Sequence, residues 1–372
     1  PVATLWTVGF LVHTIVMLPV EQMTTRTVTL TGGDVISAHT KRQITLALAL
    51  GAAAGVAVAA IARDRFFEAN TAFIAVMALL MVSRVAMTVG RGVMAGRRRF
   101  AAYGTSMMFE AFALMVLGIL FATMGSSAAW FGAALGAAPL TILLVRPYTV
   151  RKHLNRVPEP LPETTGLLQL LVIAAALSQL ILAGGPLVVS LVGGTATEVS
   201  IYFITFTLLR GPITASYGLA TRFLAAMATA LSERKTEVLH DWATRFAAIG
   251  AGASVLAGIG SYYILPILIE VLYGADFRPT AMVAGLGGAG AVAALVVLFV
   301  SQILIARGRT RDIAAGWLAA AVVAMIVLFI SNAEPLLRTS YAFASGELTA
   351  FVLIAASAIR HDAKATVKQS QS

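Results

Sequence analysis

The chain contains no cysteine, and only 12% of its 372 residues are charged. Without thiols there is no disulfide, no thiolate nucleophile and no zinc–thiolate site. The five histidines are scattered and never reach HExxH spacing, so a zincin-type centre is excluded. The first apolar run is long enough to span a bilayer, so it is expected to be a membrane helix and not a cleavable signal peptide. Polar connections are short, which leaves no room for a soluble catalytic domain such as a fused ATPase or glycosyltransferase. Period-2 alternation is also missing from the apolar runs, which argues against a β-barrel.

What remains is apolar sequence. Hydrophobic residues make up 59% of the chain and the mean hydropathy is +0.87. A soluble domain is usually about 45–50% apolar and about 25% charged. Runs of roughly 20 apolar residues recur from end to end, each long enough to cross a bilayer as a helix. The lipid interior supplies no hydrogen bonds, so helices are the remaining way to satisfy the backbone. The reading is an all-α integral membrane protein with about 11 transmembrane helices. The predicted spans are 2–20, 43–62, 71–90, 101–123, 126–146, 166–192, 197–224, 245–272, 279–305, 313–331 and 336–359. They divide into an N-terminal bundle at 1–146, a basic then Pro-rich cytoplasmic linker at 147–165, a C-terminal bundle at 166–360, and a polar cytoplasmic tail at 361–372.

The formal net charge is +10. In a membrane chain, basic residues collect in short cytoplasmic loops, and no nucleic-acid partner is implied. One set of loops carries Arg26, Lys41 and Arg42; Arg91, Arg97, Arg98 and Arg99; Arg146, Arg151, Lys152 and Arg156; Arg234, Lys235 and Arg245; Arg307, Arg309 and Arg311; then Arg360, Lys364 and Lys368. The alternate loops carry only Arg63, Arg65, Arg278 and Arg338. The bias predicts a multi-pass plasma-membrane protein with a cytoplasmic C-terminus.

An internal repeat is also legible. "NTAFIA" (70–75) opens the third span and "PTAMVA" (279–284) opens the ninth. "GRRRFAAY" (96–103) leads into the fourth and "RTRDIAAG" (309–316) into the tenth. "TTR" (24–26) is matched by "ATR" (220–222). In this register the plan is two pseudo-symmetric six-helix halves, with the first helix of the N-terminal half missing from the chain. Parallel repeats are a transporter architecture.

Four motifs carry a structural reading. "GLGGAG" (285–290) fits a dinucleotide fingerprint, but it lies in a membrane span, where small residues serve close helix packing. "GAAAG" (51–55) and "GAALG" (132–136) read the same way. "SERK" (232–235) lies in a basic loop without companion motifs.

Charges inside the spans carry more information. Arg at a helix centre costs about 2.5–3.5 kcal/mol on insertion scales, so such residues face protein or a watery cavity. Arg84, Glu110, Arg210 and Glu347 lie within spans, and Glu21, Arg222 and Glu270 lie nearer the ends. Arg210 is about 18 Å down its helix from Glu198 at 1.5 Å per residue. Gly211 and Pro212 follow it, and a kink is expected there. Such an Arg suits a phosphate or carboxylate; the alternative is a structural pair with Glu110 or Glu21. Pro19, followed by Glu21 and Arg26, is an analogous break in the first span. Arg84 can snorkel toward the level of Arg91. Glu21 and Glu110 are candidates for ion coupling, and Glu110 and Glu347 for proton-linked sites or partners of the arginines.

Taken together, "LPVEQMTTR" (18–26), "GGPLVVSLVGGTATEVSIYFITFTLLRGP" (184–212), "LYGADFRPTA" (272–281) and "SQILIARGR" (301–309) resemble the polysaccharide flippase branch of the multidrug/oligosaccharidyl-lipid/polysaccharide exporter superfamily. The resemblance implies a V-shaped pair of bundles working by alternating access, without cofactor or covalent chemistry. It implies a polyprenyl-pyrophosphate-linked sugar or oligosaccharide as cargo, for cell-surface polysaccharide synthesis. Arg210 would hold the pyrophosphate, with Arg84 or Arg222 as helpers, and Pro19, Gly211 and Pro212 would shape the cavity. Membrane lipids and polysaccharide-assembly glycosyltransferases or a polymerase would be its partners. The alternatives are a cation-coupled multidrug exporter of the same superfamily, a degenerate non-transporting membrane partner, and a membrane enzyme.

Overall fold

The computed structural model describes residues 2–31, 38–61, 63–67, 69–146 and 166–369. Described residues are almost all helical and include no strand. The chain divides into two compact units, Pro1–Ala175 and Ala176–Ser372. The expected linker at 147–165 lies outside the described residues.

The first unit opens with α1 (Val2–Val12), a π-helical segment (His13–Met17) and α2 (Leu18–Thr31), which run on without interruption. Pro19 lacks the N–H that would bond to the carbonyl of Ile15, and its ring crowds that carbonyl. The wider π turn sits directly before it. The sequence reads residues 21–31 as the end of a span and a loop, but the helix continues through them. Residues 19–28 are all buried, including Glu21 and Arg26. Arg26 is therefore not a loop residue.

Burial of this polar stretch is made feasible by glycine. It packs on α5 (Ala72–Gly96), which follows α3 (Ala38–Ile61) and the short α4 (Arg63–Phe66). A Cβ on Gly92 would stand 2.7 Å from the Cβ of Thr24, and one on Gly96 2.6 Å from the Cβ of Val28. The helices approach closely enough for Thr25 Oγ1 to donate to the Gly92 carbonyl at 3.4 Å. In lipid such backbone proximity is a main source of helix association. Fully buried Met17, Met23, Met77, Met81, Met87 and Met94 fill the rest of this core, where flexible thioethers suit irregular gaps.

The unit continues with α6 (Phe100–Thr123), α7 (Ala128–Ala137) and a 3₁₀ stretch (Ala138–Val145). The tighter turns begin beside Pro139, which has no N–H to give. Of α6, only Tyr103 and Ser106 are buried. Apart from Glu110 and its neighbours, most of the helix is apolar and exposed.

Helix α8 (Leu167–Ala183) contains the boundary between the units. It meets α9 (Gly185–Leu191) at a 63° bend. A Cβ at Gly185 would fall 2.0 Å from the Tyr202 ring, so only glycine fits there. In the second unit, α10 (Ala196–Ser232) starts at a capping box. There Glu198 N–H donates to Thr195 Oγ1 at 3.2 Å, and Thr195 N–H donates to Glu198 Oε2 at 2.7 Å. Pro212 lies inside α10, which remains one helix across it. Next come α11 (Thr236–Tyr273), α12 (Ala281–Ala306), α13 (Thr310–Ile330) and α14 (Pro335–Gln369). The last helix extends beyond the expected start of a polar tail at 361.

Helix α12 is the centre of this unit and packs on α10, α11 and α14. Its "GLGGAG" stretch is packing surface. A Cβ on Gly288 would stand 2.2 Å from Ser261 Oγ, and one on Gly290 2.5 Å from Phe343 Cε1. "SERK" is the tight turn between α10 and α11, with Arg234 at φ +59°. Among the described residues, eight helices are long and apolar enough to cross a membrane, and the bent α8–α9 pair makes a ninth. The chain is thus a multi-pass membrane protein.

The repeat read from sequence has structural counterparts. Thr71–Ala72 and Thr280–Ala281 each mark a helix start, at α5 and α12. Arg98 (φ +57°) and Gly308 (φ +73°) turn the chain into α6 and α13. The following arginines then act alike. Arg99 donates to the carbonyls of Val145 and Arg146, at 3.4 and 3.3 Å. Arg309 donates to the Ser357 carbonyl at 3.2 Å, and Arg307 to that of Ala358 at 2.7 Å. In each unit an arginine after the turn donates to backbone carbonyls of a later helical segment, the end of the 3₁₀ stretch in the first unit and α14 in the second.

Candidate functional site

In the first unit the polar side chains form one chain of contacts. Arg84 and Arg91 are seven residues apart on α5, two turns along one face. Tyr103, Ser106 and Glu110 share the buried stripe of α6 by the same periodicity. Arg91 Nη2 lies 2.7 Å from Glu110 Oε2, and Arg84 Nη1 lies 3.3 Å from Glu110 Oε1. Arg91 Nε also donates to Ser106 Oγ at 3.2 Å, and its guanidinium lies 5.8 Å from the Tyr103 ring centre. Ser106 Oγ donates to the Tyr103 carbonyl at 2.6 Å. The Tyr103 hydroxyl donates to Glu21 Oε1 at 2.8 Å. The network therefore runs from α2 through α6 to α5.

Arg91 is a correction to the sequence reading, which placed it in a basic loop. It lies within α5 with 8% of its side chain exposed. Arg84 does not snorkel to the level of Arg91; it shares the same carboxylate. Two guanidiniums face one carboxylate, and a second carboxylate, Glu21, joins the network through Tyr103. His13 opens the π segment beside this cluster, and π turns recur at functional sites. A cavity of about 40 Å³ is lined by Trp6, Gly9, Phe10, His13, Leu80, Arg84 and Leu135.

The second unit holds a different arrangement. Arg210 is half-buried on α10, whereas Arg222 is exposed on the same helix. Arg222 thus differs in burial from Arg26, its partner in the repeat. A Cβ built on Gly211 meets nothing within 4 Å, and Pro212 is exposed. Tyr202 and Tyr217 each lie within electrostatic reach of both Arg210 and Glu347. Glu347 on α14 is wholly buried, and neither carboxyl oxygen has a hydrogen-bond partner among the described residues. Gln179 Nε2 donates to the Tyr217 hydroxyl at 3.5 Å, and Gln179 Oε1 is likewise unsatisfied. Tyr202 stacks on Phe206 at 3.9 Å, and Phe206 meets Phe343 edge-on.

The geometry thus joins Arg84 and Glu110, and joins Glu21 to the same network. Arg210 and Glu347 are related only through Tyr202 and Tyr217, which lie within electrostatic reach of both. Sequence reasoning passed over Arg91, Tyr103, Ser106, His13, Gln179 and Tyr217. The signal for the first three was the helical spacing shared with Arg84 and Glu110. No group of His, Asp and Glu among the described residues can hold a metal ion.

No family model matches the chain, and no curated protein does. Solved structures do match across nearly its whole length. A Vibrio cholerae MATE transporter, VcmN, superposes with a TM-score of 0.71 at 12% identity, covering 97% of this chain and 87% of that one. The chain has the MATE transporter fold. The MATE transporter ClbM, in complex with Rb⁺, gives a TM-score of 0.66 at 14% identity, covering 94% and 83%. An outward-facing multidrug resistance MATE family transporter of the MOP superfamily gives 0.60 at 14% identity, covering 96% and 85%. The MATE fold accounts for the all-helical architecture in two units. At these identities it says nothing of cargo.

Proposed function

We propose that this protein is an alternating-access exporter of the plasma membrane that moves an amphiphile with an anionic head group. The observation that carries this reading is the pair Arg84 and Arg91, two guanidiniums inside a membrane helix that share the carboxylate of Glu110. Buried cations in a membrane mark substrate or ion pathways, and guanidinium geometry suits phosphate. The MATE fold supports transport as the class of activity. The sequence resemblance narrows the cargo to a polyprenyl-pyrophosphate-linked saccharide moved for cell-surface polysaccharide synthesis. In this reading Arg210 holds the pyrophosphate, with Arg84 or Arg222 as a helper. Pro19, Gly211 and Pro212 shape the path. Assembly glycosyltransferases or a polymerase act on the cargo before and after it, and the C-terminus is cytoplasmic.

Coupling to a cation falls to Glu347 in this scheme. Glu21 and Glu110 already accept from Tyr103 and from two arginines, while Glu347 has two unsatisfied oxygens. The same carboxyl favours a second reading, a cation-coupled multidrug exporter, which the neighbour named as a multidrug resistance transporter also supports.

Reconstitution separates the two. Proteoliposomes are loaded with a fluorescent polyprenyl-pyrophosphoryl saccharide, and its movement between leaflets is followed. Translocation that is lost in Arg84→Ala and Arg210→Ala, with insertion intact, is expected. No translocation, together with drug resistance in an overexpressing strain, would replace the first reading with the second.

A further inference from the structure

The cavity beside Arg84 has chemistry of its own. Two of its lining residues carry a buried nitrogen, Arg84 Nε and His13 Nδ1, with no hydrogen-bond partner among the described residues. Arg84 Nε–H is a donor and nothing else. Imidazole presents either a donor or an acceptor at Nδ1 according to its tautomer. An unmade bond at a buried donor is costly, and such groups in folded proteins call for a partner. The charge points the same way, since Arg84 and Arg91 share the carboxylate of Glu110. The remaining walls are apolar: Trp6, Gly9, Phe10, Leu80 and Leu135.

The cavity is small, about 40 Å³, with room for a small ion or for water. We propose that Arg84 and His13 form a binding site for a small monatomic anion, of chloride or bromide size, inside the N-terminal bundle. The anion accepts from Arg84 Nε–H and from the His13 Nδ1–H tautomer. It adds a counter-charge beside Arg84, which shares Glu110 with Arg91. Water cannot add that charge, though it could satisfy the donors, and the experiment separates these cases. The site shares Arg84 with the transport reading, but it is measured without any cargo, so either can fail alone.

The test uses the full chain purified in detergent micelles. Thermal unfolding is followed in sodium chloride, sodium bromide and sodium gluconate at equal sodium concentration. The expected result is a saturable rise of several degrees in midpoint with chloride or bromide over gluconate. The rise disappears in Arg84→Gln and persists in Arg63→Gln, whose side chain is exposed and pairs with Asp64. Chloride NMR line broadening on the unmodified protein, competed by bromide, supplies a second readout should Arg84→Gln not fold. Equal midpoints in chloride and gluconate, with no line broadening, would overturn the site and leave water as the partner. A chloride effect that survives in a folded Arg84→Gln would overturn it equally.

Discussion

Arg91 and Glu110 meet at 2.7 Å between two membrane helices, α5 and α6, with 8% and 19% of their side chains exposed. The carboxylate is also held by Arg84 at 3.3 Å. Removing it leaves two cations without their counter-charge in a medium that solvates them poorly. Glu110→Gln is therefore expected to destabilise the protein by about 3–5 kcal/mol, the usual cost of breaking a buried pair from one side. Thermal unfolding in detergent checks this. A double replacement, Glu110→Gln with Arg91→Gln, should recover part of the loss. No recovery would mean that the pair is not energetically coupled.

Tyr103 makes a subtler prediction. Its hydroxyl donates to Glu21, which is 2% exposed. Tyr103→Phe keeps the ring against Arg91 and deletes only the donor. A loss of about 1–3 kcal/mol is expected, the cost of leaving a buried acceptor short of a bond. Unfolding curves of Tyr103→Phe, Glu21→Gln and the double variant give the coupling directly, and additive losses would dissociate the two residues.

Close packing of α2 on α5 predicts a contrast between two glycines. Gly92→Ala forces a methyl to within 2.7 Å of Thr24 Cβ, whereas Gly104→Ala on α6 meets nothing within 4 Å. The first should cost about 1–3 kcal/mol by overpacking. The second should be neutral or slightly stabilising, because Ala outranks Gly in a helix. Similar midpoints for the two variants would contradict the packing.

In the second unit, Glu347→Gln retains the shape of a wholly buried side chain but cannot release a proton or take up a cation. Folding should be preserved and transport lost, measured in the same proteoliposomes as Arg210→Ala. Transport at the unmodified level would remove Glu347 from coupling.

The membrane architecture was readable because each apolar run is long enough to declare itself, and Arg84, Glu110, Arg210 and Glu347 stood out as charges in such runs. Residues 21–31 misled for an equally physical reason. "EQMTTRTVTLT" has the composition of a loop, and only the backbone of another helix, brought close by Gly92 and Gly96, makes its burial feasible. Arg91 misled because it sits near "RRR" (97–99) in the chain, although one further turn of α5 separates it from the loop. The basic loops themselves held information beyond orientation. Arg99 and Arg309 are bound to the carbonyls of a later helical segment, a contact that no local pattern announces.

Helix α6 is fastened in two ways. Phe100, Ala102 and Tyr103 join an apolar cluster with Met87, Met94 and Ile142, and Phe121 meets Trp130. Glu110 adds its pairs with Arg84 and Arg91, and the strength of those charges depends on the local dielectric constant. In dry surroundings the Glu110 pairs grip firmly; water admitted to the same spot slackens them. Entry of a water molecule at that spot would then act as a clutch on part of the helix.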